Sequence, residues 1–319
     1  MNDKTSREPK GGQARDRTAD DRTGPCELPG WFADFSDGTV SANDSSETLI
    51  EEKSMNLLIK PKKNSQEIVS VTPESAGWRY VSFSAHQLAC GKSLTFSEDA
   101  NELCAVILSG IVSAKAGGLE WTEIGGRKSV FEDVAPYAIY VPPRTELTVA
   151  AKTDVELAVA GSPAKGELPA RLIEPEAIRR SARGKGANTR YVCDILPQDQ
   201  PAESLLVVEV RTPSGHSSSY PPHKHDVDNI PQESLLEETY YHRIDPSQGF
   251  VFQRVYSDSR DIDESMAVED RNVVLVPRGY HPVVVPHGYR SYYFNVMAGP
   301  KRVWHFHNDP NHEWILSDT

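Results

Sequence analysis

The sequence has no long apolar run: none of its 319 residues lies in a stretch approaching the ~20 apolar residues that a membrane-spanning helix requires. The N-terminus also lacks the hydrophobic core of a signal peptide, so we expect no export. Cysteine is scarce, and the four that are present form no CxxC pair: Cys26, Cys90, Cys104 and Cys193. We therefore expect reduced thiols and a cytoplasmic location.

Positive charge is scarce as well. The chain has 34 Lys and Arg against 46 Asp and Glu, which gives a net charge of −12. This balance argues against nucleic acid or an anionic membrane as the main partner. An acidic substrate would need local Lys or Arg side chains to offset the overall field.

Long helical patterns are missing too, and what is present favours an all-β fold. The 21 glycines and 23 prolines separate short runs rich in Val, Ile and Tyr. Residues 1–54 are polar and aperiodic and predict a disordered extension, with Met55 as a candidate start codon. The Gly-rich basic segment 181–190 is typical of a linker or mobile loop. We therefore expect an N-terminal domain over 55–190 and a C-terminal domain over 191–319.

An internal sequence repeat indicates that the fold is duplicated. Residues 138–163 and 273–300 both contain a strand, Val-Pro, a turn, another strand and Ala-Gly. Nine of the ten histidines, however, follow residue 215. At the position that corresponds to His281, the first copy has Thr145 and Glu146. We therefore expect the first copy to be structural and metal-free.

The motif "HKH" is the strongest chemical signal. His223 and His225 point to the same face of an extended strand, and the preceding Pro221–Pro222 favours extension. His281 follows a tight turn in "VPRGYHPVVV". With a carboxylate, three such histidines form a common site for a transition metal, and polar histidines at a barrel rim are the alternative.

The strand "EETYYHRI" supplies the carboxylate. Glu238 shares a strand face with Tyr240 and His242, whereas Glu237 lies on the opposite face with Tyr241.

A competing pair, His305 and His307, lies between Trp304 and Trp314. Aromatic packing with hydrogen-bonded imidazoles is the favoured interpretation there, and His307 as a lid residue over the site is the second.

Several segments resemble the 5-deoxy-glucuronate isomerase family of myo-inositol catabolism, a bicupin family related to the uronate ketol-isomerases of pectin breakdown. The resemblance runs from Met55 to the end and is densest over 216–316. The segments are "SSSYPPHKHD", "LEETYYHRI", "GFVFQRVYSD", "MAVEDRNVVLVPRGYHPVVVPHGY", "YYFNVMAGP" and "FHNDPNHEWI".

The resemblance implies two cupin-type β-barrels and a divalent metal ion, zinc first, with manganese or iron as alternatives. The implied ligands are His223, His225, Glu238 and His281. The gap between His225 and Glu238 is longer than is usual in cupins, which leaves Glu237 as a rival ligand. The second motif is one residue short, which leaves His287 as a fallback.

The implied reaction converts the aldose 5-deoxy-glucuronate to the ketose 5-dehydro-2-deoxy-gluconate through an enediol. The metal would stabilise the developing oxyanion, and a base would move the proton. Candidates for the base are Glu238, Tyr241, His242 and Glu269. Candidates for binding the substrate carboxylate are Lys224, Arg254 and Arg278. For each of these a purely structural role is an equal alternative, and a homo-oligomer is implied by the resemblance alone.

Other classes of protein remain open at this point. Three His and a Glu also suit a metal-dependent dioxygenase, which would consume oxygen. A non-catalytic sugar-binding bicupin would keep ligand binding after metal removal. A storage-type bicupin would have no need of converging ligands.

Overall fold

The computed structural model describes residues 56–317, and their regular structure is almost entirely β strand. The one α-helix in this range, α1 (Pro73–Ala76), has four residues and is capped by Thr72, whose side chain accepts a hydrogen bond from the Ser75 amide. Short 3-10 turns occur at Pro175–Ala177, Gly186–Asn188 and Glu313–Leu316. No helix in the described range could cross a membrane. The predicted disordered extension, 1–54, lies outside the described residues.

Twenty-five strands follow one another along the described chain. The strands before residue 175 are β1 (Leu58–Ile59), β2 (Glu67–Val71), β3 (Ser82–Leu88), β4 (Ser93–Phe96), β5 (Asn101–Ser109), β6 (Ile111–Ala116), β7 (Leu119–Gly125), β8 (Ala138–Val141), β9 (Leu147–Ala151), β10 (Val155–Pro163) and β11 (Arg171–Ile173). Those after it are β12 (Arg179–Arg183), β13 (Arg190–Leu196), β14 (Leu206–Thr212), β15 (Ser217–Ser218), β16 (His223–Lys224), β17 (Asp226–Asn229), β18 (Glu233–Leu235), β19 (Glu237–Asp245), β20 (Phe250–Tyr256), β21 (Asp263–Glu269), β22 (Val273–Val276), β23 (Val283–Val284), β24 (Arg290–Ala298) and β25 (His307–Asn308).

The sheets repeat one topology in two halves of the chain, called here the N-terminal half (β2–β11) and the C-terminal half (β12–β25). The N-terminal half has a sheet of order β11-β8-β5-β10-β3-β2 and one of order β4-β9-β6-β7. The C-terminal half has a sheet of order β1-β22-β19-β24-β14-β13-β12 and one of order β15-β23-β20-β21. The echoing segments 138–163 and 273–300 contain β8–β10 and β22–β24, which take corresponding places. The predicted duplication is therefore present in the strand order.

Two segments depart from the expected organisation. Strand β1 pairs with β22, with Leu58 opposite Val274, so the first described strand joins the sheet of the C-terminal half. The predicted linker 181–190 is instead part of the β12–β13 hairpin, with Arg183 opposite Arg190. The apolar content of this segment does not indicate a strand, because β12 is an edge strand held by backbone hydrogen bonds and its side chains are not buried. The domain boundary at residue 190 stays a prediction.

Reciprocal carboxylates join the two halves. Glu237, at the start of β19, accepts hydrogen bonds from the backbone amides of residues 79–81 at 2.7, 2.7 and 3.0 Å, just before β3. Glu102, at the start of β5, accepts hydrogen bonds from the amides of residues 203–205 at 2.9, 2.7 and 2.7 Å, just before β14. Each half thus positions the first residues of a strand in the other. Hydrogen bonds between a charged carboxylate and backbone amides are strong, so these contacts fix the position of each half against the other.

Candidate metal centre and adjoining cavity

Three histidines converge inside the C-terminal half. His223 lies in β16, His225 follows it, and His281 lies between β22 and β23. One ring nitrogen from each lies within 4.8 Å of the other two. His225 and His281 are 2% and 0% exposed, and His223 is half-buried. The extended backbone after Pro222 places the two "HKH" imidazoles on one side, as the period of a strand predicts.

Glu238 lies among these imidazoles. Its Oε2 is 3.0 Å from His225 Nε2 and 3.2 Å from His281 Nε2. The opposite nitrogens face backbone carbonyls, with His225 Nδ1 at 3.1 Å from the Leu236 oxygen and His281 Nδ1 at 2.8 Å from the Gly279 oxygen. A carbonyl only accepts, so we assign the proton of each neutral ring to Nδ1. Both Nε2 lone pairs therefore point at a carboxylate.

Such an arrangement requires a positive charge at its centre. Burial lowers the pKa of His223 well below its ordinary value, which opposes protonation there. Burial alone would raise the pKa of Glu238, but the neighbouring His225 and His281 imidazoles hold that pKa at about 2. His281 Nε2 has no hydrogen-bond partner among residues 56–317, because its contact with Glu238 lacks hydrogen-bond geometry. One divalent cation would satisfy the convergent nitrogens and the carboxylate, so the donor set fits a transition metal.

The two alternative ligands lie elsewhere. The Glu237 carboxylate points away from the histidines and is occupied by the amides of residues 79–81. His287 is exposed and is not part of the cluster. The structure therefore brings Glu238, and neither of these, to the three imidazoles.

Two of the candidate bases lie away from the cluster. The Tyr241 hydroxyl donates a hydrogen bond to the Glu156 carboxylate at 2.8 Å, on the face of β19 opposite to Glu238. Glu269 ends β21 and is exposed. Both positions suit the structural roles that were the alternatives for these residues.

His242 lies behind the cluster, on the same strand face as Glu238. Its Nε2 is 2.9 Å from Gln253 Oε1, and its ring stacks on Tyr240 at a centroid distance of 6.0 Å. Gln253 in turn donates to the His281 carbonyl at 3.4 Å. Burial lowers the pKa of His242 to about 4, so it is neutral at physiological pH. Its role is therefore structural: it packs on Tyr240 and is linked through Gln253 to the backbone of His281.

The three candidate cations are all neutralised by carboxylates outside the cluster. Lys224 is buried, on the other side of the strand from His223 and His225. The ion pairs are Lys224 with Asp226 (2.7 Å) and Glu233 (3.1 Å), Arg254 with Asp263 (2.7 Å), and Arg278 with Asp261. None of the three candidates lines the cavity beside the histidines.

That cavity contains residues that the sequence interpretation missed. Besides His223, Glu238 and Tyr240, its polar lining consists of Arg183, Arg190, Ser219, Tyr293 and Asn295, with Trp304 at one wall. The two arginines come from the β12–β13 hairpin. Their signal in the sequence was the basic character of 181–190, which was interpreted as a property of a linker.

A C-terminal strap crosses the cluster. Strand β25 pairs with β16, with His307 opposite Lys224. The ring of Phe306 lies 4.8 Å from that of His223. His307, whose lid role was the second interpretation, is exposed, and the side chain that covers the site is Phe306. His305 is held through its backbone by Ser234, at 2.9 Å.

Comparison with known proteins accounts for this architecture. The model of the KduI/IolB family matches residues 57–315. The chain belongs to this family. A relative from Geobacillus kaustophilus, 5-deoxy-glucuronate isomerase, is 54% identical over 265 residues, which cover 82% of this chain and 96% of the relative. A second, from Bacillus subtilis strain 168 and of the same name, is 49% identical over 266 residues, covering 82% of this chain and 98% of the relative.

Solved structures agree with the family. The crystal structure of an IolB-like protein from Salmonella typhimurium LT2 has 51% sequence identity and a TM-score of 0.81, covering 82% of this chain and 99% of that one. The oxalate decarboxylase of Lactobacillus farciminis shares the fold at 10% identity, with a TM-score of 0.56 and coverage of 83% and 90%. The expected all-β, duplicated, cupin-type fold is confirmed.

Proposed function

We propose that this protein is an aldose–ketose isomerase that converts 5-deoxy-glucuronate to 5-dehydro-2-deoxy-gluconate in myo-inositol catabolism. The observation that carries the proposal is the buried cluster of three histidines and a glutamate beside a cavity lined by two arginines, in a chain 54% identical to a 5-deoxy-glucuronate isomerase. We place the enzyme in the cytoplasm, since Cys90, Cys104 and Cys193 are free thiols. We expect it to form a homo-oligomer, which sedimentation would test.

His223, His225, Glu238 and His281 would hold a divalent metal ion, with zinc first and manganese or iron as alternatives. When bound, this ion supplies a Lewis acid that makes the substrate C–H beside the carbonyl more acidic. The carbonyl partners of His225 and His281 fix the tautomer that presents Nε2 to the centre. Gln253 links His242 to the loop that carries His281 and so stabilises that loop.

Glu238 is the residue to which we assign the proton transfer, because it alone of the four candidates lines the cavity. Its pKa near 2 keeps the carboxylate ionised and able to accept a proton from the substrate carbon. A carboxylate with so low a pKa is a weak base, so the C–H must first be made more acidic. The Tyr240 hydroxyl, 3.0 Å from Ser219 Oγ, adds a hydrogen-bonding group to the same wall.

The N-terminal half, in this proposal, holds no metal and acts as a structural partner. Leu103 of β5 lies opposite Val141, just before Pro142, and Glu238 of β19 lies opposite Val276, just before Pro277. Leu103 thus takes the place of Glu238, within an apolar cluster that fills that half. An apolar side chain at this position removes the carboxylate ligand.

Nuclear magnetic resonance with 5-deoxy-glucuronate tests the proposal. The purified protein should convert the aldose to the ketose, lose activity on chelation and regain it with one of the three metals. Consumption of oxygen without isomerisation would instead identify a dioxygenase. Binding of the sugar acid without turnover, in a fully metallated protein, would identify a non-catalytic sugar-binding protein.

A further inference from the structure

We propose that Arg190 binds the carboxylate of the substrate and thereby selects acidic sugars and sets their orientation at the metal centre. The inference rests on the proposed function and adds to it the residue that determines specificity. It replaces Lys224, Arg254 and Arg278 in this role, whose charges are already neutralised by neighbouring carboxylates.

The position of Arg190 is suited to this role. It opens β13 and lines the same cavity as His223 and Glu238. Its Nη1 donates to the backbone carbonyls of Asn188 at 3.1 Å and Tyr220 at 3.3 Å. These bonds fix the planar guanidinium from one edge, while Nη2 and Nε donate no hydrogen bond within residues 56–317. A fixed fork with free donors is the geometry that binds a carboxylate through two bonds.

The charge of Arg190 has no carboxylate partner among the described residues. The other arginine of the cavity, Arg183, differs: its Nη2 lies 2.9 Å from Asp194 Oδ1, and its guanidinium lies 5.6 Å from the Trp304 ring. A half-buried cation without a partner is costly, most of all beside a site that would itself hold a cation. An anionic ligand would remove this cost. Arg190 would in turn supply the local positive charge that an acidic substrate needs in a protein with a net charge of −12.

The chemistry of the substrate requires two contacts at opposite ends. The reacting carbonyl and hydroxyl are at one end of the sugar acid, and the carboxylate is at the other. A carboxylate is also a good metal ligand, so without a competing cation the wrong end could occupy the centre. Arg190 draws the carboxylate to the β13 wall. Ser219, Tyr293 and Asn295 line the same cavity, where their polar groups can contact the hydroxyls of the substrate.

Arg190→Gln, with Arg183→Gln as the matched control, tests this inference. The assay compares kcat/KM for 5-deoxy-glucuronate with that for its neutral carboxamide. We expect Arg190→Gln to lower kcat/KM for the acid roughly 10- to 100-fold, mainly through KM, as loss of a charged hydrogen-bonded contact does. The carboxamide should react at nearly unchanged rate. Arg183→Gln should preserve the preference for the acid, and Arg190→Lys should retain part of it.

The possible outcomes separate the two proposals. A wild-type protein inactive on both compounds contradicts the proposed function, and this inference falls with it. An active wild type whose Arg190→Gln variant keeps the preference for the acid overturns the inference and leaves the proposed function standing. Metal content, measured on each variant, reports an intact centre. If Arg190→Gln does not fold, Arg190→Lys decides by the same ratio of acid to carboxamide.

Discussion

Replacing Glu237 by Gln tests the contact that joins the two halves of the chain. The Glu237 side chain is buried, and its carboxylate accepts hydrogen bonds from three backbone amides at 2.7, 2.7 and 3.0 Å. A Gln side chain offers one oxygen, and its NH2 group would face N–H donors, so at least one amide loses its acceptor. A buried unsatisfied donor costs about 1–3 kcal/mol, and the remaining bonds lose their charge assistance. We therefore expect the free energy of unfolding to fall by about 3 kcal/mol.

Urea unfolding followed by tryptophan fluorescence measures this loss. Glu102→Gln, which disturbs the corresponding contact in the other half, should cost a similar amount. The control is Glu120→Gln on the surface, where the ion pair with Lys115 is exposed and its loss should change stability by less than about 1 kcal/mol. Losses no larger than the control in both buried variants would refute the reasoning. Metal content should be normal in Glu237→Gln, because Glu238 is the proposed ligand.

Three further predictions concern other parts of the chain. Because burial lowers the pKa of His242 to about 4 from 6.5, the unfolded state binds more protons between these values, and stability falls as pH drops. Urea unfolding at pH 7 and pH 5 should show about 2 kcal/mol of this loss in the wild type and not in His242→Asn. Arg127→Met leaves buried Glu209 without its ion pair and should lower the unfolding free energy by about 3–5 kcal/mol; a loss below about 1 kcal/mol would contradict this. Phe306→Ala uncovers His223 and should speed metal transfer to a chelator, and an unchanged rate would exclude a covering role.

Much of the fold could be predicted from the sequence because its strongest signals are local. Val-Pro followed by a turn ends β8 and β22 alike, and this recurrence indicates the duplication. The positions of β1 and β12 could not be predicted in this way. Each is an edge strand held by pairing with a distant segment, and backbone pairing leaves no pattern in polar side chains.

Strand periodicity predicts some residues of the candidate site, but it does not predict the charged ones. Strand periodicity predicts that His223 and His225 share a side and that Glu238, unlike Glu237, faces the barrel interior. The same period could have excluded Tyr241. The sequence does not show which cation is available to bind a substrate. Whether Lys224 or Arg190 forms an ion pair depends on which carboxylates lie beside it in three dimensions. Lys224 proved to be enclosed by Asp226 and Glu233, whereas Arg190 faces the cavity.

The most direct test of the metal centre is elemental analysis of the wild type, His223→Ala and His287→Ala, each assayed for isomerisation of 5-deoxy-glucuronate. His287 is exposed and outside the cluster, so it controls for loss of a histidine. We predict about one divalent metal ion per chain in the wild type and in His287→Ala, as expected for a single site of four ligands. In His223→Ala, metal and turnover should be lost together. A metal-free wild type that isomerises the substrate at full rate would contradict the account.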